Sequence, residues 1–192
     1  MPLVLASSSP RRSELLGGMG VEPDVIFPAD IEEICRQGEE AGHFAERMAR
    51  EKAEAVYAHY PAHAVLAGDT VASAGCHIFG KPGNRDDAKR MLELLSGRKH
   101  RIYGGIALIT PEGHFLSRKV VTQVKVKRLN PQEIEAYLAT GDYEGKAGGY
   151  GIQGPFSAFV AGLNGSYTNV VGLCLHNVCK LMIGSGIATY KS

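Results

Sequence analysis

The chain has 192 residues, of which 44% are hydrophobic, and its formal net charge is +1. This length is enough for one good core or for two lobes that share a sheet. The near-neutral charge argues against a general nucleic-acid-binding protein, which usually shows a clear basic excess. No apolar run reaches the roughly 18 residues that span a bilayer, and the N-terminal residues lack the pattern of a signal peptide.

The number and spacing of the cysteines indicate the redox state of the cellular compartment. Cys35, Cys76, Cys174 and Cys179 show no paired CxxC spacing, and their number is low for a disulfide-stabilised protein. We therefore expect reduced thiols in a cytoplasmic protein, with no nucleic-acid polymer and no membrane as partners.

The first half of the chain is predicted to alternate strands and helices. A short buried strand over residues 3–6 leads into a helix whose N-cap is Ser9 and whose first residue is Pro10. A longer helix over residues 40–59 has apolar residues at helical spacing. The strand predicted over residues 64–67 runs into Gly68-Asp69-Thr70, so that Asp69 is expected at its end. A hairpin over residues 71–79 and a helix capped by Asn84 follow.

The second half is richer in strands. Two long strands are predicted over residues 101–109 and 115–129, and Asn130 and Glu133 form a capping box for a short helix. A glycine-rich loop covers residues 145–155. Residues 158–161 and 167–171 are predicted to pair as a hairpin around Asn164-Gly165, before a closing helix over residues 173–182. The pattern predicts a mixed α/β fold with a partly antiparallel sheet.

The segment "LASSSPRRSELL" at residues 5–16 presents hydroxyls, free backbone N–H groups and two arginines at a helix N-terminus. Such an end attracts anions, whereas cations in the first turn oppose the helix dipole. Arg11 and Arg12 therefore indicate a bound anion, and their guanidinium groups suit phosphate. The alternative is a capped helix with two solvated arginines.

Charged residues outside this segment could belong to the same anion-binding site. Asp69 could hold a divalent cation or deprotonate a water, or it could simply cap a turn. Lys52 lies on the apolar side of its helix, where its head either extends to the solvent edge or points into a cleft with Asp69. Lys81 offers another ammonium and Glu33 another carboxylate.

The glycine-rich loop "KAGGYGIQG" at residues 146–154 is neither a Walker A loop nor a dinucleotide fingerprint. Its glycines permit close backbone approach, and the amide of Gln153 could pair with a base edge. The alternative is a flexible surface turn. The scattered histidines indicate no zinc site, and the serines at residues 7–9 have no histidine nearby in sequence to act as a base.

Six short segments in order resemble the Maf family of nucleoside triphosphate pyrophosphatases. They are "LASSSPRR" at residues 5–12, "REKA" at 50–53, "GDT" at 68–70, "GKP" at 80–82, "LSG" at 95–97 and "KAGGYGIQG" at 146–154. "GSYTNVVGL" at residues 165–173 is similar to a late segment of the family, and Cys174 stands where the family pattern has proline. The resemblance extends over nearly the whole chain.

The resemblance implies a single domain over residues 1–192 with a Maf/ITPase-like fold. This is an α/β fold with an elongated mixed, partly antiparallel sheet flanked by helices, and with two lobes around a cleft. It implies a hydrolase that uses a divalent metal cation, Mg²⁺ or Mn²⁺, to split the α–β phosphoanhydride of a nucleoside triphosphate into a monophosphate and pyrophosphate. It also implies a homodimer.

The resemblance also assigns roles to residues. Asp69 is the implied general base, and Asp69 and Glu33 are the implied metal ligands, although one carboxylate need not serve fully as both base and ligand. The implied substrate-binding residues are Ser7, Ser9, Arg11, Arg12, Glu33, Lys52, Thr70, Lys81 and Gln153. Within the family, Arg12, Thr70 and the "GIQG" segment resemble the branch that acts on dTTP and UTP.

Three other functions stay open at this point. One is a non-catalytic nucleotide-binding regulator of cell division, which would not need a general base. Another is a pyrophosphatase acting on 7-methyl-GTP, and the third is an enzyme that removes modified nucleotides. Base selectivity of a few kcal/mol turns on small details of pocket shape.

Overall fold

The computed structural model describes residues 1–187. It has seven strands, six helices and two short 3₁₀ turns in this part of the chain. The strands are β1 (Leu3–Ala6), β2 (Val25–Ile26), β3 (Ala64–Ala74), β4 (His77–Phe79), β5 (Lys99–Ile109), β6 (Phe115–Val126) and β7 (Val160–Asn164). The helices are α1 (Pro10–Gly18), α2 (Ala41–Tyr57), α3 (Arg85–Leu95), α4 (Pro131–Ala139), α5 (Tyr167–Val171) and α6 (Leu175–Gly184), and the 3₁₀ turns cover Ala147–Gly149 and Pro155–Phe159.

All seven strands join one mixed sheet in the order β2-β1-β3-β5-β6-β7, with β4 paired to β3. β1 runs parallel to β2 and to β3, and the remaining pairs are antiparallel. The prediction of a mixed, partly antiparallel sheet flanked by helices is confirmed. Two predicted helix starts are also confirmed in detail, because Asn84 accepts a hydrogen bond from the Asp87 N–H and Asn130 forms a capping box with Glu133.

The prediction that Asp69 ends a strand is wrong. Residues 64–74 form one continuous strand, because β5 pairs with it from Val65 to Ser73 and supplies hydrogen bonds along its whole length. On the opposite edge of β3, however, the pairing with β1 stops at Ala67 and the pairing with β4 begins at Ala72. Asp69 therefore lies in the middle of β3, beside a gap in the sheet between the carboxyl end of β1 and the start of the pairing with β4.

The hairpin predicted over residues 158–171 is also wrong. β7 pairs with β6 instead, and Tyr167–Val171 is a short helix. Ser166 caps this helix by accepting the N–H of Asn169. Asn169 is buried, and its amide donates to the Ile102 carbonyl and the Thr122 hydroxyl. These tertiary bonds join α5 to β5 and β6 and outweigh the turn preference of Asn164-Gly165.

The buried apolar residues divide between the two ends of the sheet. At one end, α3, α4 and the glycine-rich loop pack on the second half of β3 and on the start of β5. At the other end, α1 and α6 cover β1 and the first half of β3 on one face, and α2 covers them on the other. These two packed regions flank the gap beside Asp69. No helix within residues 1–187 is long and apolar enough to cross a membrane.

Candidate active site

A cleft of about 600 Å³ opens at the gap in the sheet. Its walls come from the β1–α1 connection, the middle of β3, Lys52 of α2, the segment before α2, residues 142–154 and the end of α5. Every residue that the sequence analysis assigned to a site lies on these walls: Ser7, Ser9, Arg11, Arg12, Glu33, Lys52, Asp69, Thr70, Lys81 and Gln153.

Lys52 joins the two carboxylates of the cleft. Its Nζ lies 2.7 Å from Oδ1 of Asp69 and 2.8 Å from Oε1 of Glu33. The side chains of Lys52 and Asp69 are each 8% exposed, whereas that of Glu33 is 44% exposed. The alternative in which Lys52 extends to the solvent edge is therefore wrong, because the ammonium points inward to its acidic partners.

The close approach of α2 to the sheet brings Lys52 to Asp69. Gly105 of β5 lies opposite Asp69 in the ladder, and a Cβ on Gly105 would collide with the backbone carbonyl of Ala45 in α2. The absence of a side chain at Gly105 lets the helix lie directly on the strands. Lys52, two turns further along α2, then reaches the mid-strand carboxylate.

Burial alone would raise the pKa of the Glu33 carboxyl. The hydrogen bond and charge of Lys52, together with the charges of Lys81 and Arg12, outweigh burial and hold this pKa below its ordinary value. Glu33 is therefore a carboxylate at neutral pH.

The guanidinium of Arg12 is buried and already bonded to the protein. Its Nε donates to the carbonyl of Gly172 at 2.9 Å, one terminal nitrogen donates to Oγ of Ser7 at 2.9 Å, and the other reaches Oγ1 of Thr70 at 3.4 Å. Burial lowers its pKa, with Asp69 and Glu33 acting in the opposite direction. The unfavourable position of Arg12 in α1 is thus compensated in part by protein acceptors, and its charge still faces the cleft.

Other groups on the cleft walls are free to bind a ligand. Arg11 and Lys81 make no hydrogen bond or salt bridge to any residue between 1 and 187. Ser9 occupies the N-cap of α1, but its side chain makes no capping bond. Lys146 and Asp142 also line the cleft, but they are paired with each other. The other cationic side chains of the cleft, from Arg11, Arg12, Lys52 and Lys81, outnumber its other carboxylates, from Glu33 and Asp69. This excess of positive charge suits a polyanion.

The glycine-rich loop forms another wall of the cleft. Tyr150 and Ile152 are buried in the core at this end of the sheet, whereas Gln153 is exposed. The loop is therefore packed against the core just before Gln153, and the interpretation of it as a surface turn is wrong.

The carboxylates meet the needs of Mg²⁺ or Mn²⁺ only together with a substrate. No group of three or more histidine, cysteine or acidic side chains placed to hold a metal occurs within residues 1–187. Asp69 and Glu33 nevertheless converge on one point, where Lys52 now lies. Mg²⁺ is usually bound through one or two carboxylates and the phosphates of a nucleotide, and this pair fits that arrangement.

Sequence reasoning missed three parts of the cleft. Gly172 contributes its backbone carbonyl to Arg12 and Thr70, and a carbonyl has no sequence signature, although the φ of 146° explains the glycine. Asp142 and Lys146 also line the cleft. Lys146 begins the glycine-rich segment, but only Gln153 of that segment was assigned a role, and Asp142 belongs to no motif.

The fold and cleft define a mixed α/β protein with a positively charged site for a phosphorylated ligand. The family model described as Maf-like protein matches residues 2–184. The chain belongs to this family, as its motifs predicted.

Curated relatives are similar over almost the whole chain. Proteins named "dTTP/UTP pyrophosphatase" are 50% identical in Mesorhizobium japonicum, over 99% of this chain and 94% of the relative, and 51% identical in Rhodospirillum rubrum, over 96% and 88%. The protein of that name in Cereibacter sphaeroides is 45% identical over 100% and 99%. Among solved structures, a HAM1 protein from Coxiella burnetii is 18% identical with a TM-score of 0.43, over 71% of this chain and 90% of that chain.

Proposed function

We propose that this protein hydrolyses nucleoside triphosphates at the α–β phosphoanhydride, giving a nucleoside monophosphate and pyrophosphate, with dTTP and UTP as its preferred substrates. The relatives named dTTP/UTP pyrophosphatase support the reaction and the substrates. The observation that carries the proposal is the contact of Lys52 with both Asp69 and Glu33 in a cleft that has an excess of cations.

In this proposal the cationic wall binds the triphosphate. Arg11 and Lys81 have no acceptors among residues 1–187 to give up, so they can turn to phosphate oxygens. The backbone N–H of Arg11 in the first turn of α1 and the hydroxyl of Ser9 add hydrogen bonds to the same anion. Arg12 contributes its buried charge, while Ser7, Thr70 and Gly172 hold its guanidinium in place.

Asp69 is the proposed general base. Its Oδ1 is bonded to Lys52, which orients the carboxylate, so that Oδ2 is the oxygen that acts on a water. Glu33 and Asp69 would hold the divalent cation, Mg²⁺ or Mn²⁺, which supplies neutralisation of the phosphate charge when it is bound. Lys52 bonds to both carboxylates and orients them, so that positioning and charge do most of the catalytic work.

Gln153 is the proposed base-reading residue. Uracil and thymine present one N–H between two carbonyls, and an amide side chain offers both a donor and an acceptor to that edge. Gln153 lines the same cleft as the cationic groups, which are left for the phosphates.

Product analysis tests the proposal. The protein is incubated with Mg²⁺ or Mn²⁺ in H₂¹⁸O, with UTP, dTTP, CTP, GTP, 7-methyl-GTP and modified pyrimidine triphosphates, and EDTA serves as the control. Pyrophosphate and a monophosphate from UTP and dTTP are expected, together with loss of turnover in EDTA. Orthophosphate and a diphosphate would contradict the cleavage site, and preference for 7-methyl-GTP or a modified nucleotide would contradict the substrates. Binding without turnover would indicate a nucleotide-binding regulator.

We further propose that residues 1–192 form a single domain and that the protein is a cytoplasmic homodimer. The continuity of one sheet through all strands of residues 1–187 supports the single domain. Light scattering on the purified protein measures the oligomer: twice the 20.6 kDa mass of the chain is expected.

A further inference from the structure

The turn that carries Gln153 rests on three side chains that have no role in the proposed reaction. This base turn, as we call it, covers residues 151–154. Beneath it lie Tyr137 of α4 and the residues Asp142 and Lys146 of the segment that follows α4. Asp142 and Lys146 also line the cleft.

Asp142 joins these three side chains into one network. Its Oδ2 accepts the hydroxyl of Tyr137 at 3.1 Å, and its Oδ1 accepts Nζ of Lys146 at 3.0 Å. Lys146 also donates to the backbone carbonyl of Asp142 at 2.5 Å. The hydroxyl of Tyr137 in turn accepts the backbone N–H of Gly151 at 3.3 Å, so the network is bonded to the first residue of the base turn.

The glycines at the two ends of the base turn lie against the same network. A Cβ on Gly154 would lie 2.5 Å from Oδ2 of Asp142, and a Cβ on Gly151 would lie 2.8 Å from Cε of Lys146. The φ of Gly154 is −92°, which other residues adopt freely. Close approach, and not backbone conformation, therefore explains glycine at position 154.

Gln153 depends on this support because nothing else in the described part of the chain holds its amide. Its side chain is exposed and makes no hydrogen bond to any residue from 1 to 187. The place of the amide in the cleft is thus set by the backbone of the base turn. That backbone is anchored by buried Ile152, is bonded to Tyr137 at Gly151, and lies against Lys146 at Gly151 and against Asp142 at Gly154.

We propose that Asp142, Lys146 and Tyr137 are positioning residues that fix the base turn and thereby determine how strongly Gln153 discriminates between bases. The inference rests on the proposed function, since it assumes that Gln153 reads the base. It assigns the three residues to specificity and leaves the chemistry at the phosphates to Asp69 and the cationic wall.

The test is the ratio of kcat/KM for UTP to that for CTP. Lys146→Met removes the ammonium but keeps an unbranched stem beneath Gly151. We expect this ratio to fall about tenfold, the effect of about one lost hydrogen bond, while kcat for UTP stays close to the wild-type value. Lys89→Met is the matched control, because Lys89 also forms an ion pair, with Glu135, but outside the cleft. It should leave the ratio unchanged.

A double variant separates positioning from a general effect on the fold. If Lys146 acts through Gln153, Lys146→Met should not lower the ratio further in a Gln153→Ala background. Gly154→Ala gives an independent probe, since its methyl group would displace the Asp142 carboxylate, and it should also lower the ratio. Its control is Gly162→Ala in β7, where a Cβ meets its nearest neighbour only at 4.0 Å.

The outcomes distinguish the inference from the proposed function. A wild-type protein with no preference for UTP over CTP, or a Gln153→Ala variant that keeps the preference, overturns the base-reading function and this inference with it. A preference that Gln153→Ala abolishes but that Lys146→Met and Gly154→Ala leave intact overturns the inference alone. An equal loss of turnover with both nucleotides also overturns it. If the wild type binds both nucleotides without turnover, the ratio of their dissociation constants is judged by the same criteria.

Discussion

Nζ of Lys52 lies 2.7 Å from Oδ1 of Asp69, and each side chain is only 8% exposed. The ammonium and the carboxylate stabilise each other in this buried position, because either charge alone would be costly to bury. The pair also connects α2 to the middle of β3. The contact at the centre of the cleft is thus part of the fold as well as of the proposed chemistry.

Asp69→Asn tests the proposed base. Asparagine has nearly the same shape but cannot accept a proton from water, so kcat should fall by about 10²- to 10⁴-fold, the usual contribution of general base catalysis. Nucleotide binding should remain measurable, because the cationic wall is unchanged. Steady-state kinetics and calorimetric titration of UTP give the two quantities.

The control for this substitution is Asp86→Asn, the same change at an exposed position in the first turn of α3. It should leave kcat and the dissociation constant unchanged. An Asp69→Asn enzyme with near-normal kcat would show that another group activates the water.

Lys52→Met tests the cost of separating the buried pair. The variant leaves Asp69 as an unpaired buried carboxylate, so the free energy of unfolding should fall by about 3–5 kcal/mol. Lys52→Met combined with Asp69→Asn removes the stranded charge and should be more stable than Lys52→Met alone. Urea unfolding at pH 7 measures all three proteins. Equal stability of the single and double variants would mean that Asp69 gains no support from Lys52.

The two arginines of α1 should differ in what they stabilise. Arg12 is bonded to Ser7, Thr70 and Gly172, whereas Arg11 has no such bond within residues 1–187. Arg12→Ala should therefore lower both Tm and the affinity for UTP, because it removes the hydrogen bonds of a buried guanidinium as well as its charge. Arg11→Ala should lower the affinity and leave Tm unchanged. Thermal unfolding and UTP titration of both variants measure the two effects. If Arg11→Ala lowered Tm as much as Arg12→Ala does, the predicted difference between the two arginines would be wrong.

His100 should make the protein less stable in weak acid. It is 1% exposed, with Nε2 at 2.7 Å from the hydroxyl of Tyr150, and burial lowers its pKa to about 4. The unfolded chain therefore takes up a proton near pH 6.5, whereas the folded chain does so only near pH 4. Stability from this group is complete above pH 6.5 and is lost as the pH falls to about 4, with a slope of at most about 1.4 kcal/mol per pH unit.

Denaturant unfolding between pH 4 and pH 7 measures this slope. His100→Gln should flatten the profile in that range, whatever its effect on stability at pH 7. His176→Gln is the control, because His176 is exposed and its substitution should leave the slope as in the wild type. Parallel profiles for His100→Gln and the wild type would assign the acid sensitivity to other groups.

Local patterns predicted much of this fold well. Asn84, Asn130 and Ser9 mark helix starts because capping depends on residues within one turn, and all three helices begin there. The last residues of β6 alternate in polarity and their burial follows, since Thr122, Val124 and Val126 are buried and Lys125 is exposed. Such features need no information from distant parts of the chain.

The secondary-structure predictions were wrong where contacts with residues distant in sequence determine the conformation. Gly68-Asp69-Thr70 looks like the end of a strand, but β5 pairs across it and extends the strand to Ala74. Tyr167–Val171 looks like half of a hairpin, but the buried amide of Asn169 bonds to β5 and β6 and holds a helix. Strand pairing and buried amide bonds join residues far apart in sequence, so no local window contains them.

The sequence by itself determined the residue types of the candidate site and the family to which the chain belongs, because those motifs are local and ordered. Only the tertiary structure decided how they are used. Within the described residues, Arg12 is bonded to protein acceptors and Arg11 is not. Lys52 points inward to Asp69 and Glu33, and the base turn packs on Asp142 and Lys146. The physical reason is that burial and pairing depend on which elements pack together, and here α2, β3 and the glycine-rich loop meet around one gap in the sheet.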